Sequence, residues 1–230
     1  MNISAIIPAG GTGTRMNNEL PKQFIKINNI PIIIHTIKLF DTVDGIKSIV
    51  ITIHCEWLDY AKELVKKFSC NKVKDILVGG KERQDSVNIA INNDYIKDSD
   101  LVLVHDAVRP FTSKKMIYEL IETATDCGAA IPIIKPTDSI KQIDNNGNVL
   151  KTLDREHIGL VQTPQVYKTS LLIAAYQKAY NSGYKGTDDS SLIEFSGYNV
   201  KYITGELNNI KITSPLDLQL ANILYAKEFR

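Results

Sequence analysis

A glycine-rich turn near the N-terminus is composed of residues that can surround a phosphate group. The apolar residues 3–8 are followed by the sequence Ala9-Gly10-Gly11-Thr12-Gly13-Thr14-Arg15. Glycines let several backbone N–H groups approach one phosphate, and an arginine can add a bidentate contact. The spacing matches neither a Walker A loop, which ends in GK[ST], nor a dinucleotide fingerprint with its third glycine. We expect nucleotide phosphates to bind here; a plain turn between a strand and a helix is the simpler alternative.

An acidic residue follows the most hydrophobic run of the chain, residues 101–105. Asp106 stands directly after His105, and Arg109 comes three residues later. A carboxylate at the end of a strand suits Mg²⁺ that bridges triphosphate oxygens. An ion pair between Asp106 and Arg109 that closes the strand is the alternative. The sequence favours Asp106 over His105 as the metal ligand.

Three further segments could complete such a site, although each has an ordinary structural interpretation. Residues 79–87 form a second glycine turn that could simply begin a helix. Lys211 lies among apolar neighbours, as on the solvated face of a strand, and Thr187 could cap a helix. Lys22, seven residues after Arg15, strengthens the phosphate interpretation. No Ser-His-Asp or Cys-His arrangement is convincing, which agrees with chemistry that depends on positioning and charge neutralisation.

Apolar runs alternate with amphipathic helical segments along the chain. Strands are expected at residues 3–8, 48–53 and 101–105, with weaker candidates at 129–134 and 200–203. Apolar strands separated by helices indicate a mostly parallel sheet that is covered on both faces. Ligands bind beyond the carboxyl ends of the strands in such sheets. This arrangement would bring the glycine turn, Asp106 and the loop before residues 81–86 to one mouth.

Helices are indicated by apolar residues at helical spacing, which predicts one buried face for each helix. Three are expected around residues 57–68, 116–124 and 171–179. The last helix should begin with Ser214 as N-cap and Pro215 at its first position. Its predicted buried residues are Leu220, Ala221, Ile223 and Leu224.

Residues 137–153 break this alternation. Two extended halves flank Asn145-Asn146-Gly147, which is a strong hairpin turn signal. A two-stranded hairpin is not stable alone, so it must lie on this domain or on a partner chain.

The composition indicates one globular domain over residues 1–230. The formal net charge is +1, with 27 basic and 26 acidic side chains, so no global field attracts nucleic acid or an anionic membrane. Three widely spaced cysteines form no disulfide framework. The N-terminus lacks the features of a signal peptide, and no apolar run approaches the length of a membrane span. We expect a cytoplasmic protein that binds neither nucleic acid nor membranes.

Seven motifs, taken together and in order, resemble the 2-C-methyl-D-erythritol 4-phosphate cytidylyltransferase family: PAGGTGTRM, PKQ, GGKERQDSV, VHDAVRP, LDREHIGLVQTPQ, TDDSS and NIKIT. The resemblance implies a three-layer α/β nucleotidyltransferase fold, Rossmann-like, with a mostly parallel sheet. It also implies the substrates CTP and a sugar-alcohol phosphate, with Mg²⁺, and a homodimer. A projecting β-hairpin arm, residues 137–158, would complete the neighbouring subunit's active site.

The resemblance also assigns roles to individual residues. It implies a catalytic role for Arg15, Lys22 and Lys211. Nucleotide contacts are implied for Pro8, Ala9, Gly10, Gly11, Thr12, Gly13, Gly80, Lys81, Ser86 and Ala107. Substrate contacts are implied for Asp106, Arg109, Ser139, Arg155, Thr163 and Thr187, and Asp106 is also the expected Mg²⁺ ligand.

The acceptor substrate is the main alternative left open. The family commonly has alanine at the position of Gly10, and Thr12 adds a hydroxyl group. GGTGTRM with HDAVRP also resembles the ribitol-5-phosphate cytidylyltransferases, a sister family on the same fold, whereas LDREHIGLVQTPQ and the segment TDDSSLIEFSGYNV favour the methylerythritol enzymes. A non-catalytic nucleotide-binding module would not require Lys22, Asp106 and Lys211 together. A dehydrogenase is inconsistent with the glycine spacing.

Overall fold

The computed structural model describes residues 1–11 and 20–228, and over these residues a mixed sheet forms the centre of the molecule. The strands are β1 (Ile3–Ala9), β2 (Lys26–Ile27), β3 (Ile30–Pro31), β4 (Ile46–Ile53), β5 (Val73–Val78), β6 (Leu101–Val104), β7 (Ala129–Ile134), β8 (Ile140–Ile143), β9 (Val149–Leu153), β10 (Leu160–Val161), β11 (Gln165–Lys168) and β12 (Lys201–Thr204). The helices are α1 (Ile32–Asp41), α2 (Leu58–Lys67), α3 (Arg83–Ile91), α4 (Asp94–Lys97), α5 (Lys114–Cys127), α6 (Thr169–Asn181), α7 (Asp189–Phe195) and α8 (Pro215–Glu228).

The order of the sheet places the N-terminal strand near its middle. Neighbouring strands run β10-β7-β11-β6-β1-β4-β5, and β12 also pairs with β7. The pairs β1–β4, β1–β6, β4–β5 and β7–β12 are parallel, whereas β10 and β11 pair antiparallel to their neighbours. The predicted mostly parallel α/β sheet is therefore confirmed. Because β1 and β6 are adjacent and parallel, the turn after Ala9 and the segment after Val104 begin at the same edge.

Helices cover both faces of the sheet, which gives three layers. Alternate residues of a strand point to opposite faces. Ala5 and Ile7 of β1 accordingly pack in a core with α1, α2 and α5. Ile6 packs in a second core with α3, α6 and α7. The confirmed strand and helix predictions thus follow from apolar residues on both faces of the central strands.

The buried face predicted for the last helix is wrong in part. The helix does begin at Pro215, and Ser214 Oγ accepts a hydrogen bond from Asp217 N at 3.3 Å. Ala221 is fully buried, but Leu220 is 42 % exposed and Ile223 is 55 % exposed. The reason is that α8 packs on a small apolar cluster around Ile27 and Phe111 instead of the central sheet, so it buries a narrower stripe.

The predicted hairpin is present as β8 and β9, which form their own two-stranded antiparallel sheet. Gly147 in the turn has a φ of 86°, a value that favours glycine. Three large apolar side chains of the hairpin, Ile143, Val149 and Leu150, are more than half exposed.

Within the described ranges, no helix has the length and apolar character that crossing a membrane requires.

Candidate active site

A cleft opens at the carboxyl end of β1, where the sequence predicted a phosphate site. Pro8, Ala9, Gly10 and Gly11 line it. The other residues that line the cleft are Lys22, Gln23, Lys81, Glu82, Arg83, Ser86, Asp106, Ala107, Val108 and Lys211. Four of these side chains are cationic and two are carboxylates, so the described part of the cleft is suited to a polyanion.

Gln23 fixes the segment that carries Lys22 against the end of β1. Its side chain is buried, and Nε2 donates to the carbonyl oxygen of Ala9 at 2.6 Å. The chain forms a 3-10 turn at Lys22–Phe24, with Phe24 fully inside the core. This anchoring holds the backbone of Lys22 close to Ala9, at the end of β1.

Asp106 is the centre of the charged groups in the cleft. Its side chain is 10 % exposed, and Oδ2 lies 2.9 Å from Lys211 Nζ and 3.4 Å from Arg109 Nε. Oδ1 lies 3.5 Å from Arg83 Nε. Burial alone would raise the pKa of Asp106, but Arg83, Lys211 and Arg109 outweigh burial and hold that pKa well below its usual range. Asp106 is therefore an ionised carboxylate that contacts three cations of the described residues.

Hydrogen bonds that involve the side chains of His105 and Thr163 fix the backbone around Asp106. Asp106 N donates to Thr163 Oγ1 at 3.0 Å, which leaves the Thr163 hydroxyl to donate to His105 Nδ1, also at 3.0 Å. His105 Nε2 can then donate to the carbonyl oxygen of Arg109 at 2.9 Å. Burial lowers the pKa of His105 to about 4, so the ring is neutral near pH 7. His105 is a satisfied structural histidine in this arrangement.

The second glycine turn is tied to the start of α3. Gly80 N donates to Ser86 Oγ at 3.1 Å, and Ser86 Oγ donates to the carbonyl oxygen of Glu82 at 3.1 Å. Asp85 accepts from Glu82 N at 3.0 Å, which closes the first turn of the helix. The loop thus holds a defined path along the cleft, with Ser86 facing the glycine turn through Gly10.

A second cavity adjoins the first. Arg83, Asp106 and Lys211 line both cavities. The second is also lined by Arg109, Val161, Gln162, Thr163, Gln165, Thr187, Asp188, Ser190, Ser191 and Glu194. Because three charged residues are common to both, two ligands bound side by side would meet at Asp106.

Most of the predicted site residues are brought together in these cavities. The first cavity collects Pro8, Ala9, Gly10, Gly11, Lys22, Lys81, Ser86, Asp106, Ala107 and Lys211, with Gly80 bonded to Ser86; the second adds Arg109, Thr163 and Thr187. Ser139 and Arg155 line neither cavity. Arg155 instead donates from Nη1 to the carbonyl oxygen of Thr137 at 2.5 Å, at the base of the hairpin. Thr12, Gly13 and Arg15 lie outside the described residues.

Two charged residues of this region were missed by the sequence analysis. Arg83 Nη2 donates to Asp189 Oδ2 at 2.7 Å, and Asp189 is fully buried. Tyr176 Oη also donates to Asp189, with Oδ1 at 2.5 Å. Burial acts to lower the pKa of Arg83, yet Asp189 and Asp106 raise it above its ordinary value. Arg83 and Asp189 each stand inside a quoted motif, GGKERQDSV and TDDSS, but only the fold pairs them.

The donor set fits one kind of divalent cation site. No group of three or more His, Cys, Asp or Glu side chains that could enclose a metal occurs within residues 1–11 and 20–228. Mg²⁺ commonly binds through one or two carboxylates together with substrate phosphates and water. Asp106 could therefore bind a cation whose other ligands are triphosphate oxygens and water. One carboxylate is too few to form a metal site made only of protein ligands.

Comparison with known proteins gives full-length matches. The family model for 2-C-methyl-D-erythritol 4-phosphate cytidylyltransferase matches residues 3–227. A protein of that name from Syntrophus aciditrophicus is 38 % identical over 227 residues, which cover 98 % of this chain and 97 % of its own. Another, from Caldanaerobacter subterraneus subsp. tengcongensis, is 40 % identical over 228 residues, covering 99 % and 100 %.

Solved structures agree with these matches. The 4-diphosphocytidyl-2C-methyl-D-erythritol synthase from Anaerococcus prevotii superposes with a TM-score of 0.85 at 32 % identity, covering 98 % of this chain and 96 % of its own. The 2-C-methyl-D-erythritol 4-phosphate cytidylyltransferase from Thermus thermophilus gives 0.81 at 30 % identity, covering 98 % and 100 %. The predicted family, fold and enzyme class are confirmed, and the ribitol alternative is not favoured. The chain belongs to the 2-C-methyl-D-erythritol 4-phosphate cytidylyltransferase family of nucleotidyltransferases.

Proposed function

We propose that this protein joins CTP and 2-C-methyl-D-erythritol 4-phosphate to give 4-diphosphocytidyl-2-C-methyl-D-erythritol and pyrophosphate, a step in non-mevalonate isoprenoid precursor synthesis. The observation that carries the proposal is the junction of two cavities at Asp106, where Arg83 and Lys211 line both. A triphosphate in the first cavity and a phosphomonoester in the second would have their phosphates side by side.

The reaction needs little acid–base chemistry. An oxygen of the phosphomonoester attacks the α-phosphorus of CTP, and the bond from that phosphorus to the bridging oxygen of the β-phosphate breaks. The attacking phosphate has a second pKa of about 6, so it is largely a dianion near pH 7 without a general base. Catalysis then consists of holding the two phosphates in line and neutralising their charge.

The first cavity would hold CTP. Backbone N–H groups of the turn at Gly10 and Gly11 would bind the triphosphate, with Lys22, Lys211 and Arg15 as catalytic cations. Gly80 and Ser86 would bind the cytosine, since the loop they share has a fixed path along the cleft. Pro8, Ala9, Thr12, Gly13, Lys81 and Ala107 complete the proposed nucleotide contacts.

A divalent cation, Mg²⁺, would be held between Asp106 and the triphosphate. The ionised carboxylate of Asp106 is the one protein ligand that we assign to Mg²⁺. When bound, the cation would withdraw charge from the phosphoryl oxygens. Arg109, Thr163 and Thr187 would orient the alcohol phosphate in the second cavity.

The hairpin arm would complete the acceptor site of a second subunit in a homodimer. The arm exposes the apolar residues Ile143, Val149 and Leu150, which a partner surface would cover. Arg155 and Ser139 lie on this arm, away from both cavities of their own chain. We assign them to the partner's methylerythritol phosphate. We also propose that the chain forms a single domain from which the hairpin projects as an arm. We expect this enzyme to act in the cytoplasm.

The proposed reaction is tested by measuring pyrophosphate release from CTP with each candidate acceptor. We expect release with 2-C-methyl-D-erythritol 4-phosphate and at least a hundredfold lower kcat/KM with ribitol 5-phosphate. The Lys211→Ala protein, purified in the same way, controls for contaminating enzymes. The reverse preference would contradict the assigned acceptor, and no release with either acceptor would contradict the proposed reaction.

The crossed arm is tested by subunit mixing. An Arg155→Ala subunit has an intact cleft and a defective arm, whereas a Lys22→Ala subunit has the opposite defect. After random exchange, half the dimers are mixed and carry one complete site of two, so about a quarter of wild-type activity should return. No recovery above the two separate variants would contradict the crossed arm.

A further inference from the structure

We infer that Arg83, held by Asp189, is a positioning residue that sets the orientation of Asp106 at the junction of the two cavities. This inference rests on the proposed function, and it adds to the reaction a pair of residues from two separate helices. Arg83 begins α3 and Asp189 begins α7.

The geometry makes Arg83 a bridge between two carboxylates. Its Nη2 donates to Asp189 Oδ2 at 2.7 Å, while its Nε lies 3.5 Å from Asp106 Oδ1. A guanidinium is planar, so fixing one edge of it also fixes the direction of the other. The bond to Asp189 therefore determines where Arg83 presents charge to Asp106.

The anchor, Asp189, is more deeply buried than Arg83, the side chain that it holds. Asp189 is fully buried, and Tyr176 Oη occupies its second oxygen at 2.5 Å. Asp189 also lies in the first turn of α7, where backbone N–H groups favour negative charge. Arg83, by contrast, keeps 31 % of its side chain exposed and lines both cavities. Because buried Asp189 holds one edge of the Arg83 guanidinium, the other edge can orient Asp106 in the cleft.

Lys211 and Arg109 do not supply this orientation. Both contact Asp106 through Oδ2, at 2.9 and 3.4 Å. Within the described part of the chain, Arg83 is the cation that contacts Oδ1. Without it the carboxylate could rotate about its bond to Cβ towards the other two cations. The carboxylate would then turn away from its present position at the junction of the two cavities.

The test compares Asp189→Asn with Arg83→Lys. Asp189→Asn keeps the shape of the anchor and removes its charge, whereas Arg83→Lys keeps the cation and removes the planar fork. We expect each to lower kcat roughly 10- to 100-fold, as loss of an outer partner commonly does, while KM for CTP changes less than threefold. The double variant should be no worse than the poorer single variant, because both changes break the same connection.

Ser4→Ala is the matched control for lost stability. It removes a buried hydroxyl whose 2.8 Å bond goes to the backbone carbonyl oxygen of Tyr95, and Ser4 lines neither cavity. We expect a lowered Tm with kcat within twofold of wild type. If Asp189→Asn behaves in the same way, the pair is only structural and the inference is overturned.

Two further outcomes separate this inference from the proposed function. Wild-type protein without pyrophosphate release would contradict the function itself. Wild-type release with unchanged kcat in a folded Arg83→Lys protein would contradict only the positioning role. If Asp189→Asn does not fold, Arg83→Lys alone tests the positioning role. Arg83→Lys should fold, because the buried Asp189 carboxylate keeps a cationic neighbour.

Discussion

Replacing Gly80 with alanine tests whether the loop before α3 must keep its present path for CTP to bind. A Cβ at this position would lie 2.3 Å from Asp85 Cβ and 3.1 Å from the carbonyl carbon of Asp85. Asp85 cannot easily yield, since it accepts from Glu82 N at 3.0 Å and from Tyr180 Oη at 2.6 Å. The loop itself must therefore move, which breaks the 3.1 Å bond from Gly80 N to Ser86 Oγ.

The size of the effect follows from the cost of the contact. Carbon atoms pack best about 3.5–4.0 Å apart, so the loop must shift by more than about 1 Å. Inserting a group into a packed region costs about 1–3 kcal/mol. If CTP binds only when the original path is restored, its Kd should rise about 5- to 140-fold, at 1.4 kcal/mol per factor of ten.

Calorimetric titration with CTP measures this change, and Gly159→Ala provides the matched control. A Cβ at Gly159 would also meet a close neighbour, Ile133 Cγ2, but Gly159 lines neither cavity. We expect its Kd to stay within twofold of the wild-type value. A folded Gly80→Ala protein with unchanged affinity would refute the proposed cytosine loop, and an equal loss in both variants would refute a cause local to that loop.

Three further predictions follow from charges and packing. Lys22→Ala and Lys211→Ala should each lower kcat roughly 10²-fold, the effect of removing one preorganised donor; a steady-state rate within threefold of wild type removes that residue from the catalytic set. Burial lowers the pKa of His35, so the unfolded chain binds more protons than the folded chain. The stability contributed by neutral His35 is thus present above its unfolded pKa and is lost as the pH falls through it. Urea midpoints at pH 7.5 and 5.5 should therefore differ less in His35→Gln than in wild type, and an equal difference would contradict this assignment. Ile6→Ala, in the fully buried centre of β1, should lower the free energy of unfolding by about 2–5 kcal/mol in urea titrations, whereas a loss below about 1 kcal/mol would contradict close packing there.

Apolar strands and short motifs were predictable from the sequence because both are local patterns. β1 and β6 are apolar on both faces and were predicted nearly to their ends. β5 (Val73–Val78) was missed, since it is an edge strand that carries Lys74 and Asp75. The burial of α8 could not be deduced, because an apolar stripe does not tell how much protein covers it.

The candidate site was likewise predictable from the sequence only in part. The glycine turn and Asp106 could be proposed because each follows an apolar strand and carries recognisable chemistry. The pairing of Arg83 with Asp189 joins residues 106 positions apart, and each is charged like many surface side chains. Only the packing of α3 against α6 and α7 shows that they meet.

The separate pairing of the hairpin has a consequence for how such a chain can diversify. Among residues 1–11 and 20–228, β8 and β9 pair only with each other, so the ladders described for the central sheet form without them. Insertions, deletions and substitutions in this excursion can accumulate without loss of the hydrogen bonds that define the fold. Under the proposed role of the arm, the hairpin is thus a region where a lineage could acquire a new acceptor preference while its nucleotide cleft stays unchanged.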